Sequence, residues 1–367
     1  MNGAQSLSKA LTDAGLDTCF ANPGTSEMQL VYEMGRSDEV RPVLCLQENV
    51  VTGAADGYAR MAGKPAFTLL HVGSGFANGI ANLHNAGRAN TPVVNVVGAN
   101  ATYHQPNFPE HELIGGKITD LARSVSHWTR EAKSASELAM LGAEAARTAM
   151  MGSGRICTLI APTNCHWDPA PGAPLIDTAV TTPRVSSDTV AAVVERLAGG
   201  RRTGILLGAH ALHAEGLELA GKIAATTGAT LLGETFPARM ARGEGAVSVQ
   251  LVPYFLEMAQ QFFAQFEQII LVGALPPVST FAYQGSPTSK VPTGCEVFTF
   301  ASPDHDVVAA LGDLVSALDA GGATVSRNQR VEPAVPEGDL TPAAIGRSVS
   351  LLLPENAILV DEGATAG

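Results

Sequence analysis

Pro65-Ala66-Phe67-Thr68-Leu69-Leu70-His71-Val72-Gly73-Ser74-Gly75-Phe76-Ala77-Asn78-Gly79 joins a short apolar run to a glycine-rich turn. Pro65 to Val72 reads as a buried β-strand. Gly73-Ser74-Gly75 reads as the loop before a helix that reaches about Arg88, and Pro92 to Val97 as the next strand. Upstream the rhythm is the same. Leu7, Ala10, Leu11 and Ala14 have helical spacing and stop at Gly15, a C-cap residue. Asp17 to Ala21 is a strand closed by Asn22-Pro23-Gly24. Ser26 to Met34 is a short helix, Pro42 to Leu46 a strand, and Glu48 to Met61 a helix with small residues on one side. Apolar strands alternating with helices specify an α/β fold with doubly wound parallel sheets.

The polar stretch Gly98 to Gly116, with His104, Pro106, Pro109 and His111, breaks this rhythm. A loop of that length in a compact domain is functional or lies at an interface. Helix Ala135 to Met150 and strand Arg155 to Ile160 complete a first unit, residues 1–168. Residues 169–186 lie in a Pro- and Ala-rich linker. A second unit, 187–320, has expected strands at Thr203–Leu207, Ala229–Leu232, Gln268–Val272 and Glu296–Phe300. Its expected helices include Ala211–Thr226 and Asp306–Leu318. A second linker covers 321–338. Helix Thr341–Leu353 and strand Ala357–Asp361 then open a third unit, 339–367, because a helix and a strand cannot form a core alone.

The 367 residues allow two to three domains, and 46% hydrophobic content excludes a disordered chain. Lys and Arg total 23 against 35 Asp and Glu, a net charge of -12, and that field repels nucleic acid and anionic membranes. The five cysteines include no Cys-x-x-Cys pair and read as reduced, buried thiols. Cys165-His166 supplies too few ligands for zinc. Met1 to Asp17 lacks a basic, apolar leader, and no apolar run approaches the ~20 residues that span a bilayer. The expectation is a soluble, cytoplasmic protein.

Three groups of chemistry-bearing residues sit at successive strand ends. Asn22-Pro23-Gly24-Thr25-Ser26-Glu27 follows the first strand. Its backbone N–H groups can face an anion, or Thr25 or Ser26 can serve as a plain N-cap with Glu27 in the first turn. Gln47-Glu48-Asn49 follows the second and leads into Gly53-Ala54-Ala55-Asp56-Gly57-Tyr58-Ala59-Arg60. Desolvation of Glu48 would suit it to proton exchange, while the helix start favours its anion. His71 ends the third strand and can act as an acid or base. The G-x-G-x-x-x-G spacing after it misses the dinucleotide fingerprint by one residue. In an open parallel sheet these strand ends converge on one edge, where ligands bind.

Together, Asn22-Pro23-Gly24-Thr25, Gln47-Glu48, Ala55-Asp56-Gly57-Tyr58-Ala59-Arg60 and the His71 glycine run resemble the thiamine-diphosphate-dependent 2-oxoacid enzymes, the group of acetolactate synthase and benzoylformate decarboxylase. The resemblance covers the whole chain, as a pyrimidine-binding domain, a central domain and the start of a diphosphate-binding domain. It implies that Glu48 holds the aminopyrimidine nitrogen and activates the cofactor. It implies that Thr25 and His71 face substrate, and that Asn22, Gly24, Gly73 and Asn78 line the same pocket. Glu362, in Asp361-Glu362-Gly363, would belong to a loop covering the cofactor. The family's Gly-Asp-Gly motif for Mg²⁺ is absent, so the chain as given is expected to bind thiamine diphosphate weakly and not to turn over. FAD in the central unit is left open, with a plain scaffold as the simpler reading.

The resemblance implies acetolactate synthase-like carboligation of pyruvate after decarboxylation. His71 brings in a rival, a benzoylformate decarboxylase-like 2-oxoacid decarboxylase. A non-catalytic nucleotide-binding or oligomerisation protein is the rival from another class. The implied partners are a small 2-oxo acid and further copies of the chain, as a homodimer or homotetramer.

Overall fold

A computed structural model describes residues 1–107, 111–172 and 181–355, together with 357 and 359. The first unit contains six strands: β1 (Thr18–Asn22), β2 (Arg41–Leu44), β3 (Phe67–Leu70), β4 (Val93–Ala99), β5 (Trp128–Glu131) and β6 (Ile156–Pro162). They form one parallel sheet in the order β2-β1-β3-β4-β6-β5. Its helices are α1 (Gly3–Asp13), α2 (Met28–Arg36), α3 (Glu48–Ala62), α4 (Val72–Arg88), α5 (Ile118–Arg123), α6 (Ala135–Ala149) and α7 (Thr163–Trp167). β3, β4 and β6 are buried along their whole length, which is why they read as unbroken apolar runs.

One residue of β4 departs from that pattern. Asn95 is fully buried; its Nδ2 donates to Thr158 Oγ1 at 3.1 Å, and its Oδ1 accepts from Thr68 Oγ1 at 2.8 Å. The polar line crosses three strands, so each buried group meets a partner.

The second unit has α8 (Ser187–Ala198), β7 (Thr203–Leu207), α9 (Ala214–Thr227), β8 (Thr230–Gly233), β9 (Gln250–Leu251), α10 (Leu256–Phe263), β10 (Gln268–Val272), β11 (Glu296–Ala301) and α11 (Val307–Ala317). Its parallel sheet runs β11-β10-β7-β8-β9. A last helix, α12 (Pro342–Leu352), buries none of its residues. The strand expected at 357–361 falls largely outside the described residues, and Glu362 does so entirely.

Sequence patterning missed α5, β5 and the two-residue β9, which are short and carry little periodicity. It also placed Gly73-Ser74-Gly75 in a loop. The structure starts α4 at Val72, with His71 as N-cap, so these residues form the first helical turn. Val72 there has φ +43, a left-handed conformation rare for a β-branched residue. The Asp56–Arg60 motif serves the fold. Arg60 clamps Asp56 through two bonds of 2.8 and 2.7 Å and donates to the Ala238 carbonyl of the second unit, while Arg239 donates back to the Arg60 carbonyl.

Candidate active site

Register brings the three strand ends together. Asn22 pairs with Leu70 across β1 and β3, so Pro23-Gly24 and His71 leave the sheet side by side. Ala21 pairs with Leu44 on the other side, placing Gln47 and Glu48 just beyond the same edge. Gln47 caps α3 by accepting from Val50 N at 3.1 Å, which makes Glu48 the first helical residue.

α3 and α4 then pack closely. A Cβ on Gly79 would lie 2.9 Å from Thr52 Cγ2, and Thr52 Oγ1 donates to the Gly79 carbonyl at 2.9 Å. This approach brings Glu48 against the start of α4. Its Oε2 accepts from Asn78 Nδ2 at 3.1 Å. Its Oε1 has no hydrogen-bond partner among the described residues. Glu48 itself is half-buried.

The turn after β1 carries a second carboxylate, Glu27, which is fully buried. Its Oε2 accepts from Gly24 N at 2.7 Å and meets His71 Nδ1 at 2.8 Å. Both flanking glycines are required by space: a Cβ on Gly24 would fall on the His71 ring, and one on Gly98 would overlap Glu27 Oε1. The bond to Glu27 raises the His71 pKa above its ordinary value. Burial opposes the rise, and the charges of Glu27 and Glu48 reinforce it. The His111 ring, within the loop flagged by its polarity and length, stands edge-on to His71, with centroids 5.8 Å apart.

His166 approaches the same turn from below. It is fully buried, its Nδ1 meets the Ser26 carbonyl at 3.2 Å, and burial lowers its pKa. Cys165 beside it is buried, and desolvation pushes its thiol up to about 11. The Cys165-His166 pair is therefore packed interior.

The remaining expected site residues divide. Thr25 is exposed on the 3-10 turn Thr25–Glu27. Gly73 is buried in the first turn of α4 against Leu113. Asn22 is half-buried, and its side-chain amide donates to the Cys45 carbonyl at 2.8 Å, so that group ties two strand ends together. Sequence reasoning did not pair Glu27 with His71. Its spacing three residues after Gly24 is that of a helix cap, and the structure does give it that bond. Its second bond, to His71, is long-range and has no sequence signature.

Comparison with known proteins bears on this edge of the sheet. Residues 1–121 match the family described as thiamine pyrophosphate enzyme, N-terminal TPP binding domain. A Mycobacterium tuberculosis protein provisionally named acetolactate synthase large subunit IlvX is 43% identical over all of this chain and 70% of its own length. The chain belongs to the thiamine-diphosphate-dependent 2-oxoacid enzymes. A benzoylformate decarboxylase of Pseudomonas aeruginosa is 27% identical over 95% of this chain and 68% of its own. The solved structure of a provisionally assigned thiamin diphosphate-dependent enzyme from Mycobacterium smegmatis superposes with TM-score 0.81. It covers 97% of this chain and 71% of that one at 22% identity, and so shares the fold.

Thiamine-diphosphate enzymes need an acceptor for the aminopyrimidine ring, and the free Glu48 Oε1 fits that need. Among the described residues, no group of three or more His, Cys, Asp or Glu could hold a metal ion, so no step is assigned through Mg²⁺. In the central unit, β7 is followed by a 3-10 turn, Ala209–Leu212, and α9 begins at Ala214. His210 and His213 fill this turn, with centroids 5.0 Å apart. Among the described residues no helix is long and apolar enough to cross a membrane.

Proposed function

We propose that this chain supplies the aminopyrimidine-binding half of an active site that breaks or makes carbon–carbon bonds beside the 2-oxo group of a small acid. The observation that carries this reading is Glu48, held at one oxygen by Asn78 and free at the other. Glu48 Oε1 accepts the ring N–H and holds a proton there. Bound thiamine diphosphate supplies a nucleophilic carbon and an electron sink. His71 Nε2, on the side of the ring away from Glu27, holds a second proton at the substrate side.

Within that class, acetolactate synthase-like carboligation of pyruvate is the first reading, supported by the relative that is 43% identical. The Glu27–His71 pair favours a second, release of an aldehyde as in benzoylformate decarboxylase, because it keeps a proton donor beside the pocket. The face around Glu48 is apolar and open: Leu46 is 91% exposed and Val50 56%. A second copy covering it, in a homodimer or a dimer of dimers, fits that surface. Mg²⁺ would accompany the diphosphate, and the setting would be the cytoplasm.

Product analysis after incubation with pyruvate, thiamine diphosphate and Mg²⁺, on a protein in which this chain is joined to a diphosphate-binding domain with the Gly-Asp-Gly motif, tests the reading. Acetolactate supports the synthase, and acetaldehyde with CO₂ supports the decarboxylase. Turnover that Glu48→Gln leaves unchanged overturns both.

A further inference from the structure

Glu27 lies between two histidines. His71 meets its Oε2, and His166 is packed against the carbonyl of the preceding residue, Ser26. A fully buried carboxylate needs a counter-charge or a full set of donors. Oε2 has two donors, Gly24 N and His71 Nδ1, while Oε1 has no hydrogen-bond partner among the described residues. Among the described residues no lysine or arginine bonds to it. The charged partners within reach among the described residues are histidines.

The geometry separates the two candidates. A carbonyl only accepts, so His166 Nδ1 carries a hydrogen and its Nε2 is a bare acceptor without a partner among the described residues. Charging that ring would place a cation in a sealed, fully buried position. His71 has Glu27 on one side of its ring and Glu48 as a second facing charge, with His111 edge-on to it. Its Nε2 has no hydrogen-bond partner among the described residues.

We propose that Glu27 is the positioning residue for His71: the buried carboxylate fixes the Nδ1–H form, turns Nε2 toward the pocket and selects His71, over His166, as the imidazolium. This rests on the proposed function for its catalytic meaning, but not for its test. The balance is one proton: Nδ1 keeps its hydrogen on Glu27 throughout, and the proton that leaves or returns does so at Nε2.

The test is a histidine Cε1–H NMR titration of the chain, with His71 and His166 assigned from His71→Asn and His166→Gln. The expected result is a His71 midpoint above that of a free histidine, and a His166 that stays neutral. Glu27→Gln keeps an acceptor for Gly24 N and removes the charge. It is expected to increase the His71 acid constant at least about tenfold. Glu27→Asp is expected to restore part of the shift. Gly98→Ala keeps both groups but displaces the carboxylate, so it is expected to act like Glu27→Gln. A folded Glu27→Gln protein with an unchanged His71 midpoint, or a His166 that titrates above His71, overturns the proposal. Neither outcome touches the product analysis, so the two readings fail separately.

Discussion

Asn78 Nδ2 donates to Glu48 Oε2 at 3.1 Å, across the seam where α3 and α4 pack. The bond orients the carboxylate and leaves its other oxygen without a hydrogen-bond partner among the described residues. The glycine and threonine contacts between the helices make that reach possible.

Removing the Glu48 charge is expected to cost far more than removing its partner. In a protein that joins this chain to a diphosphate-binding domain, Glu48→Gln is expected to lower cofactor-dependent turnover by ~10²-fold or more, the usual range for a lost acid–base group. Asn78→Ala removes a hydrogen bond to a charged group and is expected to lower it about tenfold. Steady-state rates at saturating thiamine diphosphate check both, and equal effects would count against the orienting role of Asn78.

The Glu27–His71 pair predicts a pH dependence of stability. The His71 pKa is raised in the folded state, so its contribution is fully present below the unfolded value and is lost as pH rises through the folded one. Urea midpoints are therefore expected to fall as pH increases above about 6.5, and His71→Asn is expected to remove that slope. A slope unaltered in His71→Asn would assign the effect to another group.

Glu234 predicts a second window, at lower pH. It follows β8, where burial pushes its carboxyl up to about 7 while the Arg88 charge acts against the rise. The unfolded chain ionises near 4.5, so the folded state loses stability between there and about 7 and carries a constant penalty above. Glu234→Gln is expected to raise stability at pH 8 by ~1–3 kcal/mol and to change nothing at pH 4. Thermal melts at the two pH values check this.

Much of this was legible in the sequence, for reasons particular residues show. Thr203–Leu207 and Gln268–Val272 are strands at their expected bounds, because fully buried parallel strands are written as apolar runs closed by glycine or polar residues. The place of Glu48 was legible because an apolar strand ends just before it and a helix starts at it, while its role as a cofactor contact came only from the resemblance. Glu27 was not, because its local role as a cap is real and its partner His71 lies 44 residues away. Asn22 was placed in the pocket on motif position alone, and the structure gives its amide to Cys45. Position along a strand predicts which edge a residue reaches, but not where its side chain turns.

Asn95 stands for the polar groups that hold the first sheet in register. Asn95→Leu leaves Thr68 and Thr158 without their central partner inside a closed core. A loss of ~2–4 kcal/mol in urea unfolding is expected, above that of an ordinary core substitution of similar volume. Thr68→Val with Asn95→Leu and Thr158→Val removes all three groups and is expected to recover part of that loss. Failure to recover would mean that packing, not unpaired polarity, dominates.

The apolar surface beside Glu48 predicts self-association. Leu46 and Val50 flank that carboxylate on the exposed side, and an apolar face of this kind is covered in stable assemblies. Leu46→Lys places a charge there without touching the buried cores. Light scattering on a sizing column is expected to show a dimer or tetramer for the unaltered chain and a shift toward monomer for Leu46→Lys. The lysine is two residues from Glu48, so in a protein that also carries a diphosphate-binding domain, cofactor-dependent turnover is expected to fall with the dimer and to return at high protein concentration. Weak activity that does not respond to concentration would instead locate the damage in the pocket itself.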